Sequence, residues 1–131
     1  MKPPFIVIDG LDVSIFKTKE AMENKLEAID VNSNLYEVFD SEGRSIVLES
    51  YNKSTSGERD YSKGEIELVR IKSVEEAPEH EFNLKLKLLD YLNACQPTHS
   101  REIATFNINQ INTIPLGRVI KACIDIAGFT I

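Results

Sequence analysis

Residues 5–9, Phe-Ile-Val-Ile-Asp, form a β-branched apolar run that Gly10 closes, the pattern of a short buried strand. Residues 12–16 alternate apolar and polar positions and predict a second strand. Thr18 then fits a helix N-cap, with Glu20 in the first turn where the helix dipole favours negative charge. Ala21, Met22, Lys25, Leu26 and Ile29 follow at helical spacing, with the Lys25 stem expected to lie along the apolar stripe. Turn formers at 30–34 end that helix.

A hairpin comes next. The runs Leu-Tyr-Glu-Val-Phe-Asp (35–40) and Arg-Ser-Ile-Val-Leu-Glu-Ser-Tyr (44–51) flank Ser-Glu-Gly. Asp40 or Ser41 is placed to accept a backbone hydrogen bond, and Gly43 supplies the positive φ of a short loop. Residues 52–64 are polar and read as a long connection. Residues 65–72 resume as a strand pairing with the hairpin; adjacent apolar Leu68 and Val69 predict a bulge or two-sided burial. Residues 79–95 fit two periods. Phe82, Leu84, Leu86 and Leu88 alternate, whereas Leu84, Leu88, Tyr91, Leu92 and Cys95 make a helical stripe. Length, the absence of β-branched residues and Pro78 at the first helical position favour helix. Gln96-Pro97 stops it. Ser100 fits the cap of a short helix. Leu116, Val119, Ile120, Cys123, Ile124 and Ala127 form another helical face, with Gly128 as C-cap. The elements predict one α+β domain over residues 1–131: an antiparallel sheet, an early helix and a C-terminal helical layer.

Composition narrows the function. The chain has 131 residues and a formal net charge of −6. Residues 1–95 hold 19 acids against 12 bases, and the remainder only two against three. A front half of that sign repels a phosphate backbone, which argues against direct nucleic-acid binding, and attracts a basic partner. No apolar run approaches the roughly 20 residues of a membrane span, and no secretory signal is recognisable, so the expected compartment is the cytoplasm. Cys95 and Cys123 are expected to be reduced core residues.

Catalytic chemistry is sparse in the pattern. Cys95 and His99 are four apart, but Gln96-Pro97 breaks the helix between them and no second pair completes a zinc set. Glu79-His80-Glu81 reads as an exposed helix start. Asp9 and Asp12 resemble a magnesium pair, yet Asp-Gly is also ordinary turn chemistry. Ser54, Ser56 and Ser62 have no nucleophile-elbow context, and no phosphate-cradling loop or dinucleotide fingerprint occurs. What remains is a constellation of carboxylates: Asp40, Glu42 and Glu49 on the hairpin, Glu58 and Asp60 on the long connection, Glu65 and Glu67 at the next strand. Tyr51 and Tyr61 bracket it as anchor residues. If the three strands share a sheet, several of these acids share a surface.

The words Glu-Ala-Met-Glu-Asn-Lys-Leu-Glu-Ala-Ile-Asp (20–30) and Tyr-Glu-Val-Phe-Asp-Ser-Glu-Gly-Arg-Ser-Ile-Val-Leu (36–48) resemble small bacterial immunity proteins of contact-dependent and other polymorphic toxin systems. The resemblance covers roughly residues 5–50, about a third of the chain. It implies a cytoplasmic, non-catalytic inhibitor that binds a cognate toxin domain, often a nuclease, and masks its basic active site. It implies no cofactor and no metal, and it transfers no site residues. A monomer fits this expectation. The alternatives are a small metal-dependent hydrolase built on Asp9 or Asp12 and a dimeric structural or regulatory subunit.

Overall fold

A computed structural model describes residues 1–10, 12–53, 66–94 and 112–130. Five strands form one antiparallel sheet: β1 Phe5–Asp9, β2 Asp12–Phe16, β3 Glu37–Phe39, β4 Ser45–Lys53 and β5 Ile66–Val74, in the order β2-β1-β3-β4-β5. Among the described residues four helices accompany it: α1 Lys19–Lys25, α2 Ala28–Asn32, α3 Glu81–Ala94 and α4 Leu116–Ala127. The fold is α+β, as the pattern predicts.

Alternation along the strands divides the core between two faces. Phe5, Val7, Phe16, Val38 and Ile46 pack with Met22 of α1 on one face. Ile6, Ile8, Ile15 and Phe39 meet Leu84, Leu88 and Leu92 of α3 and Val119, Ile120 and Cys123 of α4 on the other. The register agrees, since Phe5 lies opposite Phe16 and Ile6 opposite Ile15. After α4, the Thr130 N–H donates to the Ile15 carbonyl at 2.7 Å, so the tail runs along the outer edge of β2.

Several expectations are corrected in detail. The early helix is two helices. Thr18 caps α1 as expected, its Oγ1 accepting from Ala21 N at 3.1 Å. Leu26 and Glu27 are extended, at ψ 144° and ψ 135°. That break turns the stripe, so Val31 is buried while Ile29 is 67% exposed; Lys25 is exposed too. Pro78 precedes a turn and not the first turn of α3, whose first helical residue is Glu81. The sheet irregularity lies at Lys72, opposite Val47 and Leu48, because Val47 pairs Ser73 while Leu48 pairs Ile71. Leu68 and Val69 are regular and point to opposite faces, Val69 buried and Leu68 half-buried, so of the two alternatives expected there the two-sided burial holds.

Candidate functional site

The acidic turn of the β3–β4 hairpin folds inward. Asp40 has no exposed surface. Its Oδ1 accepts from Glu42 N and Arg44 N, both at 2.9 Å, and its Oδ2 from Lys2 N at 3.1 Å and Arg44 Nη1 at 3.2 Å. Burial pushes its pKa up. The backbone N–H groups of Arg44, Lys2 and Glu42 and the Arg44 guanidinium push it down harder, and the net position is below the usual carboxylate value. The expectation that Asp40 faces a partner is therefore overturned: one carboxylate anchors both the turn and the N-terminal segment. Glu42 is partly exposed but paired with the Arg44 guanidinium, with Lys2 Nζ 3.8 Å away. That Arg44 hydrogen bond holds the Glu42 carboxyl below its ordinary value.

The same turn docks on α3. Gly43 has φ +93°, and an added Cβ would lie 2.5 Å from the Glu81 Cα. The His80 N–H donates to the Gly43 carbonyl at 3.2 Å. Glu75 Oε1 accepts from Ser45 N at 2.6 Å and lies 2.6 Å from His80 Nδ1. The Ser45 N–H bond lowers the Glu75 pKa most; desolvation opposes it, and the His80 contact adds to the lowering. His80, read from sequence as part of an exposed helix start, thus belongs to the clasp between hairpin and helix.

The remaining carboxylates separate. Glu49 lies opposite Arg70, and the Arg70 Nε is 3.3 Å from Glu49 Oε1. The Arg70 guanidinium also covers the Tyr51 ring at 4.6 Å, a cation–π contact. Glu67 lies opposite Asn52, three residues along β4 from Glu49, so alternation places Glu67 and Glu49 on opposite faces. A single acidic face holding both does not form. Glu58, Asp60, Tyr61 and Glu65 lie outside the described residues, as do Cys95 and His99.

A different acidic group assembles at the far end of the ribbon. Glu67 and Tyr51 line a cavity of about 420 Å³ with Leu68 and Val69 of β5 and with Glu23, Leu26 and Glu27 at the α1–α2 break. Glu67 and Glu27 are exposed. Glu23 turns inward, its Oε2 accepting the Ile71 N–H at 3.0 Å. Sequence reading missed Glu23 and Glu27, because the extended residues that bring them to β5 carry no glycine or proline as a signal.

A second cleft, of about 330 Å³, opens where β3 leaves β4, walled by Val31, Tyr36, Val38, Ile46, Val47, Leu48 and His80. Asp9 and Asp12 face each other across the β1–β2 turn, both exposed. Among the described residues, no group of three or more His, Cys, Asp and Glu is arranged to hold a metal ion. Among them, too, no helix is long and apolar enough to cross a membrane. Comparison with family models, with curated proteins and with solved structures finds no match to this chain.

Proposed function

We propose that the protein is a non-catalytic, stoichiometric inhibitor of the immunity type, binding a basic toxin domain through the acidic end of the β4–β5 ribbon. The observation that carries the reading is the convergence of Glu27 and Glu67, both exposed, around a cavity that Tyr51 and Leu68 also line. Carboxylates at the rim of a concavity that also offers apolar surface, from Leu26, Leu68 and Val69, suit a Lys or Arg side chain, whose stem packs while its head is paired. A nuclease domain that grips phosphate supplies such side chains at its active site. The turn carboxylates do not serve this purpose, since Asp40 and Glu42 are satisfied within the chain.

The direct test is to identify a toxin domain encoded beside this protein's gene and to follow the growth of cells that produce it. Co-production of the protein restores growth on this reading. Glu27→Lys with Glu67→Lys abolishes protection while the purified variant keeps the wild-type fold by circular dichroism. Protection by a folded double variant at wild-type level would move the interface elsewhere. Failure of the wild-type protein to protect would remove the inhibitor reading.

A further inference from the structure

The β4–β5 ribbon reports which way its backbone groups point. Leu48 lies directly opposite Ile71. The Ile71 N–H leaves the ribbon on its outer side, to Glu23 on α1. In an antiparallel ladder, directly opposed residues exchange both hydrogen bonds or neither. Leu48 therefore aims its own N–H and C=O away from β5, and Ser50 and Asn52, at the same phase, do likewise. Strand β3 does not meet them, because its pairing with β4 ends at Val38 opposite Ile46. Among the described residues, no backbone hydrogen bond reaches Leu48, Ser50 or Asn52 from that side. The 330 Å³ cleft lies along this open edge at Leu48.

An unpaired strand edge is a template for another strand. We infer that the open side of β4 is a strand-addition site for an extended segment of a partner protein whose alternate residues, on the face of Leu48, Ser50 and Asn52, are apolar at the Leu48 end and basic at the Asn52 end. The added strand pairs with Leu48, Ser50 and Asn52, a run of about 17 Å at the usual rise per residue. Its apolar side chains enter the cleft between Val31, Val38 and Leu48. Its basic residue follows from the far end of the run, where Asn52 lies opposite Glu67 on that same face and the exposed Glu67 and Glu27 line one cavity. Each outer edge of the sheet carries a bond of its own: Glu23 takes the Ile71 N–H of β5, and Thr130 takes the Ile15 carbonyl of β2. The inference stands on ladder phase and shares only the acidic ribbon end with the inhibitor reading.

The test is a titration of the full-length, ¹⁵N-labelled protein with two capped pentapeptides, Val-Ser-Val-Ser-Lys and its reverse, in about 0.15 M salt. The amides of Leu48, Ser50 and Asn52 should shift saturably. Ser50→Pro removes one N–H on the open side and leaves the bonds to β5, so affinity should fall at least about tenfold. Ser50→Ala, which loses only the 2.8 Å bond to Asn32 Oδ1, should bind within about twofold of wild type. Asn52→Pro serves in place of Ser50→Pro if that variant is unfolded, with the same expected loss. Absence of saturable shifts, shifts confined to β2 or β5, undiminished binding by the folded proline variant, or equal binding of the same peptides with glutamate in place of lysine would each overturn the inference. No toxin is needed, so this result and the growth assay fail independently.

Discussion

Asp40 is the residue on which the hairpin depends. Burying a carboxylate is costly unless its lone pairs are filled, and here three backbone N–H groups and a guanidinium fill them. Asp40→Ala should cost about 2–3 kcal/mol in urea unfolding, because it strands those donors together with the Arg44 charge. The pH dependence has a definite sign. Asp40 and Glu75 both titrate below their ordinary values of 3.8 and 4.5 in the folded protein. The unfolded chain therefore binds more protons in acid, so their contribution is complete above about pH 4.5 and is lost as pH falls through the lower folded values. Unfolding free energies at pH 7 and pH 3 should show this decline. Asp40→Asn, which cannot ionise, should flatten it. Only half of this was legible in the chain. The pattern marks Asp40 as a turn acceptor; it cannot show that Lys2, 38 residues away, closes over the carboxylate.

At the scale of elements, the hairpin and α3 form one unit. Gly43 is required twice, by its positive φ and by its contact with the α3 backbone at Glu81. Gly43→Ala should lose more than about 2 kcal/mol, and it should shift the amide resonances of His80 and Glu81 as α3 is displaced. The edge of β5 depends on α1 in a comparable way. Glu23→Ala should speed hydrogen exchange at the Ile71 amide by about tenfold, corresponding to about 1.4 kcal/mol of lost local protection. Most elements were legible because apolar period and caps agree: β1, β2, the hairpin, α3 and α4 follow their patterns. The break at Leu26-Glu27 was not, since both residues suit a helix and only packing of α2 on β4 and β5 opposes it. Nor was the irregularity at Lys72, which depends on how β5 meets β4 and not on its own apolar phase.

For the whole molecule, charge becomes informative only after folding. A net charge of −6 serves solubility as well as it serves attraction of a basic partner, and it does not say which acids remain available. Folding commits Asp40, Glu42 and Glu75 to the clasp, ties Glu49 to Arg70 and Glu37 to Lys87, and leaves Glu27 and Glu67 together at the ribbon's end. The surface proposed here is thus smaller than the sequence constellation and centred differently, with Tyr51 and Glu67 common to both. The measurement that tests it most directly is calorimetric titration of the purified protein with a toxin domain identified beside its gene, at about 0.05 M and 0.3 M salt. The account predicts a one-to-one complex, weakened at least about tenfold by the higher salt and by a similar factor when Glu27 and Glu67 are reversed to lysine. An affinity indifferent to both salt and charge reversal, or no complex at all, would contradict it.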